Sequence, residues 1–593
     1  MKKLIYITIV FFAGILVSCE DYLEAPTKSS LDESVIFSTP DLAKGAVDGI
    51  KVSFAETNSY RGRFLPYYGM NTDIEWYNSS ENVGDGKADL SVYKSTPSNN
   101  QMNSTNNAWA KMYEGIERAN ICIKGLRAYG NPEPGTELGY LLGEALTLRA
   151  VYYSDLLKTW GDVPARFEPI TTETLYLPKS SRDVIYKQLI DDLEEASTLV
   201  PWPNESAATQ SVERVSKAFT KGLRARLCLA ASGYSQYPDG IRRSSDPELS
   251  VSTLYPIARQ ECLDIINSNS CKLENAFETV FMKNCQDNIN AGSESIWEIP
   301  FSAGRGRMLF TFAIRHNSVD QYTSQAKGGN AGPVPYLFYD YDVKDTRRDV
   351  SVVPYEWGKA VDGFAQQEML SLERWSFGKF RYEWMNRIVT SSNDDGVNKL
   401  YMRYAEVILM LAEIENELNG SSAAAPYLKM IRQRAFNPAD WPEKVDAYIN
   451  SISTKEAMFD AIVEEHKFEF CGEMVRKQAL IRWNLLKTKL DEAKSKMYTL
   501  RERTGEYADV PEKVYYKYAE DGESLIIYGL NRGETEDKSA EYDYNTTWVA
   551  PEELEDEKIE SIYAQNPDEW QFWPIWQVFL DASNGKLVND YGY

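Results

Sequence analysis

At 593 residues, with 43% hydrophobic and 26% charged residues, the chain can bury one large core or several smaller ones, and wholesale disorder is excluded. A formal net charge of −24 argues against nucleic acid as a partner, and it disfavours polyanions unless a local basic pocket overcomes the mean field. Past Val17 no apolar run approaches the roughly 18–20 residues needed to span a bilayer.

The chain opens with Lys2-Lys3 and an apolar run from Leu4 to Val17, the layout of an export signal. Its ending, Leu16-Val17-Ser18-Cys19, resembles the bacterial lipobox. That resemblance implies removal of residues 1–18 and acylation of Cys19, and two or more acyl chains anchor stably where one does not. Glu20-Asp21 resembles the surface-export signal of Bacteroidetes lipoproteins, so residues 19–35 are expected to be a lipidated tether. Thr39-Pro40 reads as an N-cap with proline at the first helical position, followed by the stripe Ala43, Val47, Ile50 and Phe54. Met112, Ile116, Ala119, Ile123 and Leu126 predict an amphipathic helix. Leu141 to Leu156 predicts another, stopped at Gly161, Ile185 to Ala196 a third, stopped by Pro201, and Phe219 to Ala230 a fourth, stopped at Gly233. Between about Cys271 and Lys399 short strand-like pieces such as Ser295–Ile299 alternate with glycine-rich loops. Helices return at Tyr401–Ala412 and Tyr427–Ala435, and one long helical stretch is expected from Lys455 to Leu490. The acidic run Glu552–Glu557 reads as a solvated face. The fold class is therefore mainly α, with tetratricopeptide-like helix pairs as a scaffold, a large loop-rich insert and minor β content. Residues 36–270 and 271–593 are expected to be two regions of one compact body.

Of seven cysteines none forms a CxxC pair, and with two histidines this excludes zinc fingers and ribbons. Cys122 and Cys228 fall in apolar helical patterns as small buried groups, while a bridge among Cys262, Cys271 and Cys285 stays open.

Several segments, in order, resemble the SusD/RagB family across nearly the whole mature chain. They are Cys19–Glu24, Gly143-Glu144-Ala145 with Arg149-Ala150 leading to Trp160–Pro164, and Ile190–Ala196 followed by Leu199-Val200-Pro201. Tyr401–Glu406 with Ile408–Glu413, Arg482-Trp483, and Phe572–Ile575 through Asn589–Tyr593 complete the series. The chain departs from the family pattern at Glu465–Glu473 and at Asp590-Tyr591. The resemblance implies a SusD-like fold and an outer-membrane lipoprotein facing outward. It further implies capture of an oligosaccharide, or of a peptide in the RagB branch, and delivery to a SusC-like TonB-dependent transporter. No cofactor and no enzymatic activity are expected.

Sugars need flat aromatic faces with amides, carboxylates or guanidinium groups at their edges. Trp109, Trp160, Trp483 and Trp573 fall in helices or family segments and read as core. Trp76, with Asp73, Tyr77 and Asn78, lies in a polar stretch and is the first candidate platform. Trp357 and Trp375 form the second, with Arg381 and Trp384 ranked lower because they adjoin a family structural segment. Asp340, Asp342 and Asp345 offer hard oxygen donors for calcium, although their spacing lacks the glycine and glutamate of an EF-hand loop and favours a solvated turn. Gly304-Arg305-Gly306-Arg307 lacks the third glycine and the strand–helix setting of a phosphate loop. A surface glycoside hydrolase is the rival enzyme reading, and a pure protein-binding scaffold is the other rival.

Overall fold

The computed structural model describes residues 32–593 apart from Thr105, residues 302–303 and residues 392–394. The signal segment 1–18, Cys19 and most of the 19–35 tether lie outside the described residues.

Amphipathic periodicity becomes a series of packed helices: α1 (Ala108–Gly125), α2 (Glu137–Trp160), α3 (Arg182–Leu199), α4 (Lys217–Ser232) and α5 (Val251–Ser268). Each packs against the next. Met112, Ile116, Ala119 and Ile123 fill the buried side of α1, whereas α2 is buried around nearly its whole girth. Asn107, Thr136, Ser181 and Ser216 cap four of these helices by accepting backbone N–H groups, each cap contributing about 1 kcal/mol. Thr39 makes no such side-chain bond, although the Ala43–Phe54 stripe ahead of α1 is fully buried as expected.

A second helical set, α6 (Tyr404–Asn419), α7 (Ser421–Ala435) and α8 (Lys455–Phe470), joins the first where α6 lies against α5. Two sequence expectations are corrected here. Tyr401 does not open a helix: Lys399–Arg403 is a fully buried strand, and the helix begins only at Tyr404, whose N–H donates to Glu294 O at 2.8 Å. The stretch Lys455–Leu490 is not continuous either. It breaks where Gly472 and Met474 take positive φ (81° and 64°) and again at Asn484 (59°), giving separate helices at Arg476–Arg482 and Leu486–Arg501.

Short antiparallel pairs involve the insert and residues 513–547. β1 (Glu75–Tyr77) pairs with β3 (Ala331–Pro333), and β2 (Ser295–Ile299) with β6 (Lys399–Arg403). β4 (Tyr355–Trp357) pairs with β5 (Gln367–Met369), and β7 (Lys513–Tyr518) lies between β8 (Leu525–Tyr528) and β9 (Tyr544–Thr547). One hydrophobic core runs from Phe37 to Trp576 and takes residues from every region between. Within it sits an ionic network. Arg403 meets Glu473 (2.6 Å), Glu294 (2.5 Å) and Glu469 (3.0 Å), Arg347 meets Asp345 and Glu465 (2.7 Å each), and Lys379 meets Glu473 (2.7 Å). Arg434 completes it through Glu294 at 3.0 Å and a shorter contact with Glu469. Every side chain named is buried. Gathering these charges costs desolvation that only complete mutual pairing offsets.

Candidate functional site

The structure moves most of the residues singled out as ligand-binding into the interior. Asp73 is buried and gripped by Arg476, with Nε at 2.9 Å and Nη2 at 2.7 Å. Burial works against its ionisation, but the guanidinium outweighs this and holds the carboxyl below the usual range. Trp76 is fully buried beneath the Lys558 ammonium, 4.5 Å from the ring centroid. Trp375 is fully buried and stacks on Trp548 at 4.9 Å. Trp357 donates its indole N–H to Glu383 at 2.8 Å and packs on Tyr322 at 4.9 Å. These three rings present no free face to a sugar, which corrects the expectation of tryptophan platforms. Their polar sequence neighbours gave no sign of partners such as Arg476, Trp548 and Lys558, which lie far along the chain. Arg381 covers the half-buried Trp384 at 4.8 Å and joins the same packing.

Tyr77 and Asn78 stay half-exposed, and the fold builds a surface around them. The Tyr77 ring meets Tyr67 edge-on at 5.6 Å. The Asn78 side chain donates to Gly329 O at 2.8 Å, its backbone N–H donates to Asn330 O, and the Asn330 side chain donates to Phe310 O at 3.0 Å. Phe310, half-buried, carries the Arg307 guanidinium 3.8 Å above its ring and the exposed Lys327 ammonium at 5.5 Å. Two features of the chain hold Arg307 there. Arg61 donates to Gly306 O at 2.9 Å, fastening the Gly304–Arg307 loop to the turn at Tyr60–Phe64. Gly62 leaves room, since a Cβ at that position would collide with Thr57 O and stand 3.2 Å from Arg307 Nη1. Beneath the loop, Asp395 accepts the N–H groups of Leu309 (2.9 Å) and Val397 (3.1 Å). Burial, only partly opposed by those bonds, pushes its carboxyl up to about 6. Burial likewise raises the Tyr67 hydroxyl, against the opposing charges of Arg307 and Arg63. Three chain segments therefore bring aromatic rings, amides and cations to one partly open surface.

A second aromatic surface escaped sequence reading. On the β7–β9 sheet Tyr516 and Tyr544 stack at 5.3 Å, with Tyr518 6.3 Å from Tyr544, and Tyr544 is 49% exposed. Tyr515, Tyr528 and Tyr542 occupy the other side, with Lys517 and Lys538 over their rings. The signal was the alternation Val514-Tyr515-Tyr516-Lys517-Tyr518, a strand with aromatics on both faces. Gln367 of β5 fastens this sheet to the β4–β5 hairpin, accepting Leu525 N–H at 3.0 Å.

The Asp340 and Asp345 side chains are buried, so the expected solvated turn is not what forms there. Asp340 is held by Lys467 (3.0 Å), Lys496 (2.8 Å) and Tyr507 (2.7 Å), Asp342 by Lys444 (2.8 Å) and Asp345 by Arg347. Each carboxylate has its own cation, and among the described residues no group of carboxylates converges on a metal-sized space. Cys262, Cys271 and Cys285 are separate buried thiols, which resolves the open question of a bridge. His316 is buried 2.7 Å from Asp320, and burial keeps His466 neutral.

Comparison with known proteins agrees with the architecture. Residues 293–593 match the SusD family, and residues 22–229 match the family described as starch-binding associating with outer membrane. SusD-like protein P25 of Formosa agariphila is 24% identical over 529 residues, covering 82% of this chain and 91% of that protein. SusD-like protein P2 of the same organism is 25% identical over 498 residues, covering 80% and 90%. A SusD homolog from Bacteroides thetaiotaomicron superposes with a TM-score of 0.72 at 17% identity, covering 94% of this chain and 98% of that one. Surface glycan-binding protein A from the same organism, solved in complex with laminarihexaose, superposes at 0.61 with 17% identity, covering 93% and 99%. The solved structures share the mainly helical fold.

Proposed function

We propose a function from one premise: this chain belongs to the SusD family. The protein captures an oligosaccharide outside the cell and delivers it to a SusC-like TonB-dependent transporter, held at the outer membrane by lipid on Cys19. The observation that carries the capture reading is the Tyr77–Phe310 surface. It brings ring edges and cationic donors together, braced by the Asn78 and Asn330 amides, the groups that meet sugar C–H faces and hydroxyls. The stacked tyrosines of the β7–β9 sheet add flat aromatic area for a longer chain. Glycan binding by a structural relative supports this choice of ligand class. The anchor is supported by the Leu16–Cys19 sequence, and the transporter by the family resemblance.

Isothermal titration calorimetry of the purified protein against neutral oligosaccharides, polysaccharides and peptides tests the capture reading, with Tyr77→Ala and Tyr544→Ala alongside. Heat from a glycan, abolished by Tyr77→Ala without loss of fold, is the expected result. Loss confined to Tyr544→Ala would shift capture to the tyrosine sheet, and heat from peptides alone would overturn the glycan reading. For the anchor, Cys19→Ala is expected to release the protein from outer-membrane fractions.

A further inference from the structure

We infer that the Tyr77–Phe310 surface is built for an acidic glycan, whose carboxylate or sulfate group lies against Arg307 with Arg63 and Lys327 flanking it. The inference rests on reading that surface as the capture site, and it adds the chemical class of the ligand. In a chain of net charge −24, enclosed cations are typically matched by carboxylates, as Arg149 is by Asp192 (2.6 Å), Arg214 by Glu144 (2.6 Å) and Arg226 by Glu406 (2.7 Å). Among the described residues, Arg63, Arg307 and Lys327 have no carboxylate within 4.0 Å; Lys399 and Lys477 share that lack, but both are buried, whereas these three belong to the partly open surface. Acids of the adjoining segments are committed elsewhere. Asp395 faces backbone N–H groups, Glu81 meets Lys558 at 2.9 Å, and Asp85 caps Lys87 N–H at 2.8 Å.

Arg307 is the residue that points to an anion. Its guanidinium carbon lies 3.8 Å from the Phe310 ring centroid, and its Nε is buried with no acceptor. A guanidinium offers parallel N–H donors spaced for the oxygens of a planar carboxylate or a sulfate. Hydroxyls of a neutral sugar could accept one such bond but would leave three neighbouring positive charges unneutralised. An acidic substituent does both. Attraction of this kind, partly screened by salt, also steers an anionic chain to a surface where the mean repulsion is locally reversed.

The test is calorimetry of the full protein with three hexasaccharides, an oligogalacturonate (carboxylate), a κ-carrageenan fragment (sulfate) and laminarihexaose (neutral), at low and high salt. Arg307→Gln and Lys327→Gln are compared with the parent, their folding checked by thermal melts; Lys327 is exposed and keeps the test alive if Arg307→Gln destabilises. In parallel, phenylglyoxal modification of Arg307 is mapped with and without each probe and with inorganic sulfate. Binding of an acidic probe that weakens at high salt, and by about tenfold in Arg307→Gln, is expected, with protection of Arg307. The arm that binds, carboxylate or sulfate, names the group. Laminarihexaose binding lost in Tyr77→Ala, with both acidic probes silent, would keep the capture site and overturn the acidic ligand. An acidic probe that binds equally to Arg307→Gln would also overturn it, as would silence from all probes with no protection of Arg307 by sulfate.

Discussion

Glu75 lies fully buried in β1 beside Trp76, accepting the Gly472 N–H at 2.7 Å on one oxygen while the other has no partner. Burial pushes its carboxyl up to about 8, so it is held as the neutral acid across most of the neutral range. The unfolded chain ionises near the ordinary value of about 4.3. A folded value raised above that means the contribution is fully present below about 4.3 and is lost as pH climbs through about 8. Glu75→Gln is therefore expected to leave stability at pH 5 little changed and to flatten its decline toward pH 8, as read from urea midpoints at the two pH values. Asp73 obeys the opposite logic. Its guanidinium partner keeps it ionised, and Asp73→Asn strands a buried Arg476, with an expected loss of about 3–5 kcal/mol in the same urea experiment.

Elements differ in how their boundaries are specified. Helices α1 to α4 were legible because a 3.6-residue apolar period, a capping residue and a Gly or Pro stop are all local. The break after α8 was not. Gly472 was visible in the sequence, but its positive φ follows from docking against Phe377 and Glu75, which lie far along the chain. A Cβ there would approach the Phe377 ring at 3.1 Å, so Gly472→Ala should cost about 1–2 kcal/mol from backbone strain alone, measured as a lower thermal midpoint. The candidate site shows the same division. Within residues 73–78 the sequence does not separate the buried Trp76 from the partly exposed Tyr77, because that difference depends on the β1–β3 pairing. Arg307 was seen within a Gly-Arg-Gly-Arg pattern and set aside as no phosphate loop. Its surroundings come from the Tyr60–Phe64 turn and from Lys327, which no local pattern connects.

At the scale of the whole molecule, the core that runs from Phe37 to Trp576 leaves no apolar seam between residues 36–270 and 271–593. Thermal unfolding is accordingly expected as one calorimetric event rather than two, and a pair of resolved peaks would show that the regions unfold independently. The ionic network has a kinetic consequence too. Glu294, Arg347, Arg403, Arg434 and Glu469 come from segments far apart in the chain, and each stays hydrated until the others arrive. A half-assembled centre would carry dehydrated charge with too few partners, so β6 and α8 have reason to close together and late. The folding chain thus keeps its most expensive junction wet until the last step, which limits the dehydrated charge it carries on the way.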